Sequence, residues 1–210
     1  MADPRPVFLL SPAHAGGKRA RMVMNPNAQF DLAQRLRTSG ATLGEVFAFL
    51  SGLYFRGKLA YAETFAREFP SAGGGAGAGT LVITPGWGLV PARRMITLED
   101  LVAIAAVGVA PLETRFRDPL ARDASALALR LEPDARVVLL GSIATGKYVD
   151  VLERVLGERL HFPTAFVGRG DMSRGGLMLR AAREGQELDY APVAGALRHG
   201  PRPPRLERLR

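Results

Sequence analysis

The chain contains no cysteine. A disulfide scaffold, a thiolate metal site and a cysteine nucleophile are therefore excluded. It has no run of eighteen apolar residues, so no membrane-spanning helix is expected. The apolar run near the start covers only residues 7–10, too short for a signal-peptide core, and a cytoplasmic location is expected. Histidine is scarce: His14, His161 and His199 lie far apart, and no metal site is expected. No Ser-His-Asp order or paired-acid motif stands out. No particular cofactor is implied. Lysine is scarce too, with three lysines among 28 basic residues, and there is a single tryptophan.

What is present is a globular composition. The 210 residues are 47% hydrophobic with a mean hydropathy of +0.05, enough to build a full core. Residues 1–195 read as one domain, interrupted by a Gly/Ala-rich loop, SAGGGAGAG, at 71–79. Residues 196–210, ALRHGPRPPRLERLR, read as a disordered basic tail that could dock a partner protein. Net charge is +8 and the pI about 10.7. That excess suits nucleic acid or a phosphorylated small molecule. The dominance of Arg over Lys, with abundant Ala, Gly and Pro, also fits a coding bias. Against that bias the three lysines are informative. Lys18, Lys58 and Lys147 each follow a glycine, and Lys supplies a compact ammonium of tunable pKa that Arg cannot imitate.

Hydrophobic patterning predicts strands at 7–10, 81–83, 136–140 and 160–167, with a short one at 107–109. Helices are expected over 27–37, 43–50, 55–69, 98–106, 119–131, 147–156 and 176–183. Thr42 with Glu45 and Thr97 with Asp100 are capping-box patterns. Continuous apolar strands alternating with helices imply an α/β fold. The expectation is a three-layer, Rossmann-like domain with a mostly parallel sheet of four to five strands. Its site should lie at the strand carboxyl edge, in the loops starting at Ser11, Thr84, Gly141 and Gly168.

Those loops carry the candidate residues. GSIATGK, residues 141–147, has Walker A spacing after a strand. Tyr148 stands where a magnesium-binding Ser or Thr would be, and no Walker B carboxylate follows. A glycine turn offering Gly141 and Lys147 to an anion is the better reading. GRGDMSRGG, residues 168–176, offers Arg169 and Arg174 to an anion, with Ser173 as a helix cap. Asp171 there can pair with an arginine. In PAHAGGKRAR, residues 12–21, His14 and Lys18 are candidates for acid-base work, and Ser11 precedes them. FRGK places Arg56 and Lys58 at a helix start, and Trp87 in TPGWGLV could stack on a base.

Taken together these segments resemble the YaaA-like proteins and their relatives, which include an uncharacterised family and the core domain of archaeosine synthases. The resemblance rests on a first strand ending in Ser-Pro-Ala with a basic loop, on LYFRGKLAYAETFA, on LVITPGWGLV, on MITLEDL, on VVLLGSIATGKYVDVL and on GRGDMSRGGLMLR. It spans residues 7–183. The chain departs from it in having Gly86-Trp87 where the family has Lys-His, and in lacking a tyrosine before Thr97. The resemblance implies binding of nucleic acid or of a nucleotide-type phosphorylated ligand, or modification of a nucleobase. Ser11, Arg56, Lys58, Trp87, Gly141, Lys147, Tyr148, Arg169 and Arg174 would hold the ligand, and His14 or Lys18 would exchange protons.

Overall fold

The computed structural model describes residues 6–70, 76–204 and 206. Its centre is strand β1 (Val7–Leu10), buried along its whole length. A strand with no polar position must be covered on both faces. Phe8 and Leu10 enter one apolar cluster, and Val7 and Leu9 enter a second on the opposite face.

The chain leaves β1 through α1 (Lys18–Met24), α2 (Asp31–Thr38), a short strand β2 (Ala41–Thr42), α3 (Leu43–Ser51) and α4 (Leu53–Phe65). Strands β3 (Glu68–Pro70) and β4 (Ala76–Ala78) form an antiparallel ribbon. Then come β5 (Thr80–Thr84), β6 (Gly88–Pro91), β7 (Met95–Ile96), α5 (Leu98–Ala105) and α6 (Thr114–Arg130). The chain continues through β8 (Val137–Leu140), α7 (Gly146–Leu156), β9 (Leu160–Pro163), α8 (Asp171–Glu184) and β10 (Tyr190–Pro192). The main sheet has six strands in the order β10-β9-β8-β1-β5-β6. β1 pairs in parallel with β5 and β8, and β8 with β9. The two edges, β6 and β10, are antiparallel. The result is a Rossmann-like α/β fold. After β1 the chain goes first to β5 on one side and later to β8 on the other. That reversal opens a crevice at the carboxyl ends of β1 and β8.

Several sequence expectations need correction. The sheet has six strands rather than four or five. Lys18 is not in a loop: it opens α1. Asn25 caps that helix, and the next begins at Asp31. Val107 and Val109 lie in irregular chain. Helix α6 starts at Thr114, with Pro119 inside it. The strand at 160–167 ends at Pro163 and turns into a single 3₁₀ turn, Thr164–Phe166. Helix α8 starts at Asp171, so Ser173 lies within it and Gly170 takes the cap position. Arg56 and Lys58 fall inside α4 rather than at its first residue. Both capping patterns are real: Thr42 accepts from the Glu45 amide, and Thr97 with Asp100 closes a reciprocal box.

Of the Gly/Ala-rich segment, residues 71–75 lie outside the described residues, while Ala76–Ala78 pairs with Glu68–Pro70. In the basic tail, residue 205 and residues 207–210 lie outside them. The rest of the tail makes contacts with the body. Arg198 pairs with Asp150 and Glu153 of α7, and the Pro204 carbonyl accepts from Arg169.

Candidate functional site

Ser11 is the first residue beyond β1. Its amide donates to the Leu140 carbonyl at 3.2 Å, which holds it beside the end of β8. Gly141 is the residue it meets there. A Cβ on Gly141 would lie 2.8 Å from Ser11 Cβ and 3.0 Å from both Ser11 Oγ and the Tyr148 hydroxyl. Glycine is therefore required for close approach, rather than for a special backbone angle.

Below Ser11 runs α4. Tyr54 and Lys58, four residues apart, share the face that looks up at the strand ends. Lys58 is 1% exposed. Its Nζ donates to the Ser11 carbonyl at 3.0 Å and lies 2.7 Å from Ser11 Oγ. The same nitrogen sits 3.9 Å from the centre of the Tyr54 ring. Among the described residues no carboxylate lies within ion-pair distance of it. Burial therefore lowers its pKa to about 7, with Asp171 opposing the shift and Arg174 adding to it.

Helix α4 reaches this position because α8 crosses it almost backbone to backbone. A Cβ on Gly57 would come 2.5 Å from the Gly175 carbonyl oxygen, and one on Gly175 would come 2.7 Å from the Leu53 carbonyl. The crossing brings the first turn of α8 beside Tyr54. Arg174 is buried there, its guanidinium donating twice to the Phe166 carbonyl and lying 3.6 Å from Asp171. The Tyr54 hydroxyl is buried and, among the described residues, has no hydrogen-bond partner of normal geometry. Burial raises its pKa; Arg174 opposes that electrostatically without making a hydrogen bond of normal geometry. Tyr148, on α7, is also buried and its pKa is raised for the same reason. Its hydroxyl donates to the Ser142 carbonyl at 3.1 Å.

Above these groups opens a cleft of about 490 Å³. Ser11, Tyr54 and Tyr148 line it, and His14, Lys147 and Asp171 contribute the charged or titratable side chains. Helix α7 begins in the same wall. Its cap residue, Thr145, makes no side-chain bond to the first turn, so the amides there retain capacity for an anion.

The structure brings together Ser11, His14, Gly141, Lys147, Tyr148, Lys58 and Arg174, the last two beneath the surface. Four other candidates lie elsewhere. Lys18 is exposed on α1 and does not line the cleft. Arg56 is exposed: two residues along a helix from Lys58, it points the opposite way. Trp87 lines a separate pocket of about 330 Å³ with Leu89, Arg122 and Asp123, and Arg94 stacks on its ring. Arg169 is bound to Ala165, Ser173 and Pro204. Tyr54 was not singled out from sequence. Its signal was its place four residues before a glycine-flanked lysine. Among the described residues no group of His, Asp or Glu could hold a metal ion. Comparison with family models, curated proteins and solved structures yields no match to the chain.

Proposed function

We propose that the chain binds a nucleotide- or nucleobase-type phosphorylated small molecule in the cleft at the strand carboxyl edge. On this reading it is a three-layer, YaaA-like α/β protein acting in the cytoplasm. The cleft carries the proposal. About 490 Å³ suits a small organic ligand. Tyr54 and Tyr148 line it, suited to a flat polar ring. Lys147 and the start of α7, the helix that also carries Tyr148, line it too and suit a phosphate. Charge favours a small ligand over a polymer. Residues 196–210 hold five Arg and one Glu, +4 of the net +8, so the body is only mildly basic. The resemblance noted in the sequence leans toward the same ligand class. The buried Lys58 against Ser11 favours catalysis on the bound molecule over storage or sensing.

Thermal shift tests the binding. Nucleoside monophosphates and diphosphates, free nucleosides, short DNA and short RNA are compared at low and moderate salt. A ligand at 100 times its Kd stabilises by about 2.7 kcal/mol, a rise of roughly 5–10 °C for a domain of this size. The expected result is such a rise with a phosphorylated nucleoside, resistant to salt and lost in Lys147→Ala. A shift with polymers alone, erased by salt, would overturn the reading in favour of a nucleic-acid binder.

A further inference from the structure

Lys58 is an unusual group to leave where it lies. A buried lysine normally meets a carboxylate, and this one meets a serine hydroxyl and a carbonyl from the same residue. A neutral amine fits that pair of contacts. One N–H goes to the Ser11 carbonyl, and the lone pair remains for the Ser11 hydroxyl to donate to. Ser11 lines the cleft at the end of a central strand, where catalytic groups of such sheets are placed. Gly141 keeps the space beside it open.

We propose that Ser11 is a nucleophile activated by Lys58 as general base, and that the cleft transfers the acyl group of a carboxylic ester to water through an acyl-serine. This rests only on the cleft being a ligand site and goes beyond that reading by naming a reaction. Serine–lysine pairs perform this role on unrelated folds. Lys58 Nζ takes the Ser11 proton as Oγ bonds to the acyl carbon, and the carbonyl electron pair moves onto its oxygen. The carbon–oxygen bond to the alcohol then breaks, and the Lys58 ammonium returns the proton to the departing alkoxide. Water enters, gives a proton to Lys58 and adds to the acyl carbon. Ser11 leaves with that proton as the acid is released. The sum is ester plus water giving acid plus alcohol.

The titratable and charged groups around Lys58 are Tyr54 on its own helix, Asp171 and Arg174 from α8, Tyr148 from α7, and His14 and Lys147 at the mouth. Among them Lys58 lies 2.7 Å from the Ser11 hydroxyl, and the Tyr148 hydroxyl interacts with that hydroxyl as well.

The test uses the full chain with p-nitrophenyl acetate, reading p-nitrophenol release and the site of acetylation by peptide mass spectrometry. Acetyl-Ser11 is expected, and its formation should rise through neutral pH and level off. Ser11→Ala removes one hydroxyl and is checked for folding by its melting curve; it should lower release at least about 100-fold. Lys58→Met should lose the adduct and the pH-dependent limb together. Acetylation on Lys58 or elsewhere in place of Ser11, or unchanged release in Ser11→Ala, overturns the proposal. Nucleotide thermal shifts are read on the same samples. Nucleotide binding without Ser11 acetylation sinks the nucleophile and leaves the ligand reading standing. Acetylation without nucleotide binding does the reverse.

Discussion

Lys58 couples the stability of the molecule to pH. Its folded pKa of about 7 lies below its ordinary value of 10.5. Between those values the unfolded chain holds a proton that the folded chain has lost, so stability rises with pH across that window. Below about pH 7 both states are protonated and the full penalty of burying the charge is felt. The expected slope is up to about 1.4 kcal/mol per pH unit from this one group. Urea denaturation of the native chain and of Lys58→Met at pH 6, 8 and 10 measures it. The variant should be relatively most stable at pH 6, with its advantage shrinking towards pH 10; parallel profiles would refute the coupling. Tyr54 makes a different residue-scale case. A buried hydroxyl without a partner destabilises by about 1–3 kcal/mol. Tyr54→Phe should therefore raise the melting temperature read by thermal denaturation, and a fall would show that the hydroxyl has a partner. At this scale the sequence was half legible. The rarity of lysine pointed equally to Lys18, Lys58 and Lys147, of which Lys18 lies away from the cleft, and it could not separate Lys58 from Arg56. Only the helix register, set from Leu53, buries one and exposes the other.

The elements that were legible are those whose signal is local. VFLL and VVLL are short continuous apolar runs, as expected of parallel strands covered on both faces. The edges were hidden. Strand β6 is Gly-Leu-Val-Pro and β10 is Tyr-Ala-Pro, and their glycine and prolines read as loop. Proline is tolerated there because an edge strand can do without one ladder donor. The crossing of α4 and α8 was not legible at all. Gly57 and Gly175 lie 118 positions apart, and nothing local marks them as partners. Yet this contact delivers Lys58 and Tyr54 to the site from one side and Arg174 from the other. Gly57→Ala and Gly175→Ala should each cost about 1–3 kcal/mol by forcing backbone from backbone, although alanine is the better helix former. Chemical denaturation reads the loss, and a stabilised alanine variant would show that the helices are not in that contact. Both variants should also weaken the bond between Lys58 and Ser11 and move the pH profile of the first prediction.

For the molecule as a whole, composition misleads most at the C-terminal end. ALRHGPRPPRLERLR has the Pro and Arg content of a free arm. Part of it is tied down. Arg198 is two-thirds buried against Asp150 and Glu153, and Gly200 packs beside Val167. The Pro204 carbonyl receives Arg169. These contacts join the helix that lines the cleft, α7, to the loop before α8, so the tail braces both sides of the site. Its contribution is modest because the ion pairs are partly solvated, about 0–1 kcal/mol each. Removal of residues 196–210 should therefore lower the melting temperature by roughly 2–8 °C without unfolding the core. It also removes half of the net charge, which separates two effects in one experiment. Ligand affinity should fall modestly, and equally at low and high salt, when the loss is one of bracing. A loss seen only at low salt would mean that the tail acts as a charged arm for a polyanion, and the small-ligand reading would then give way.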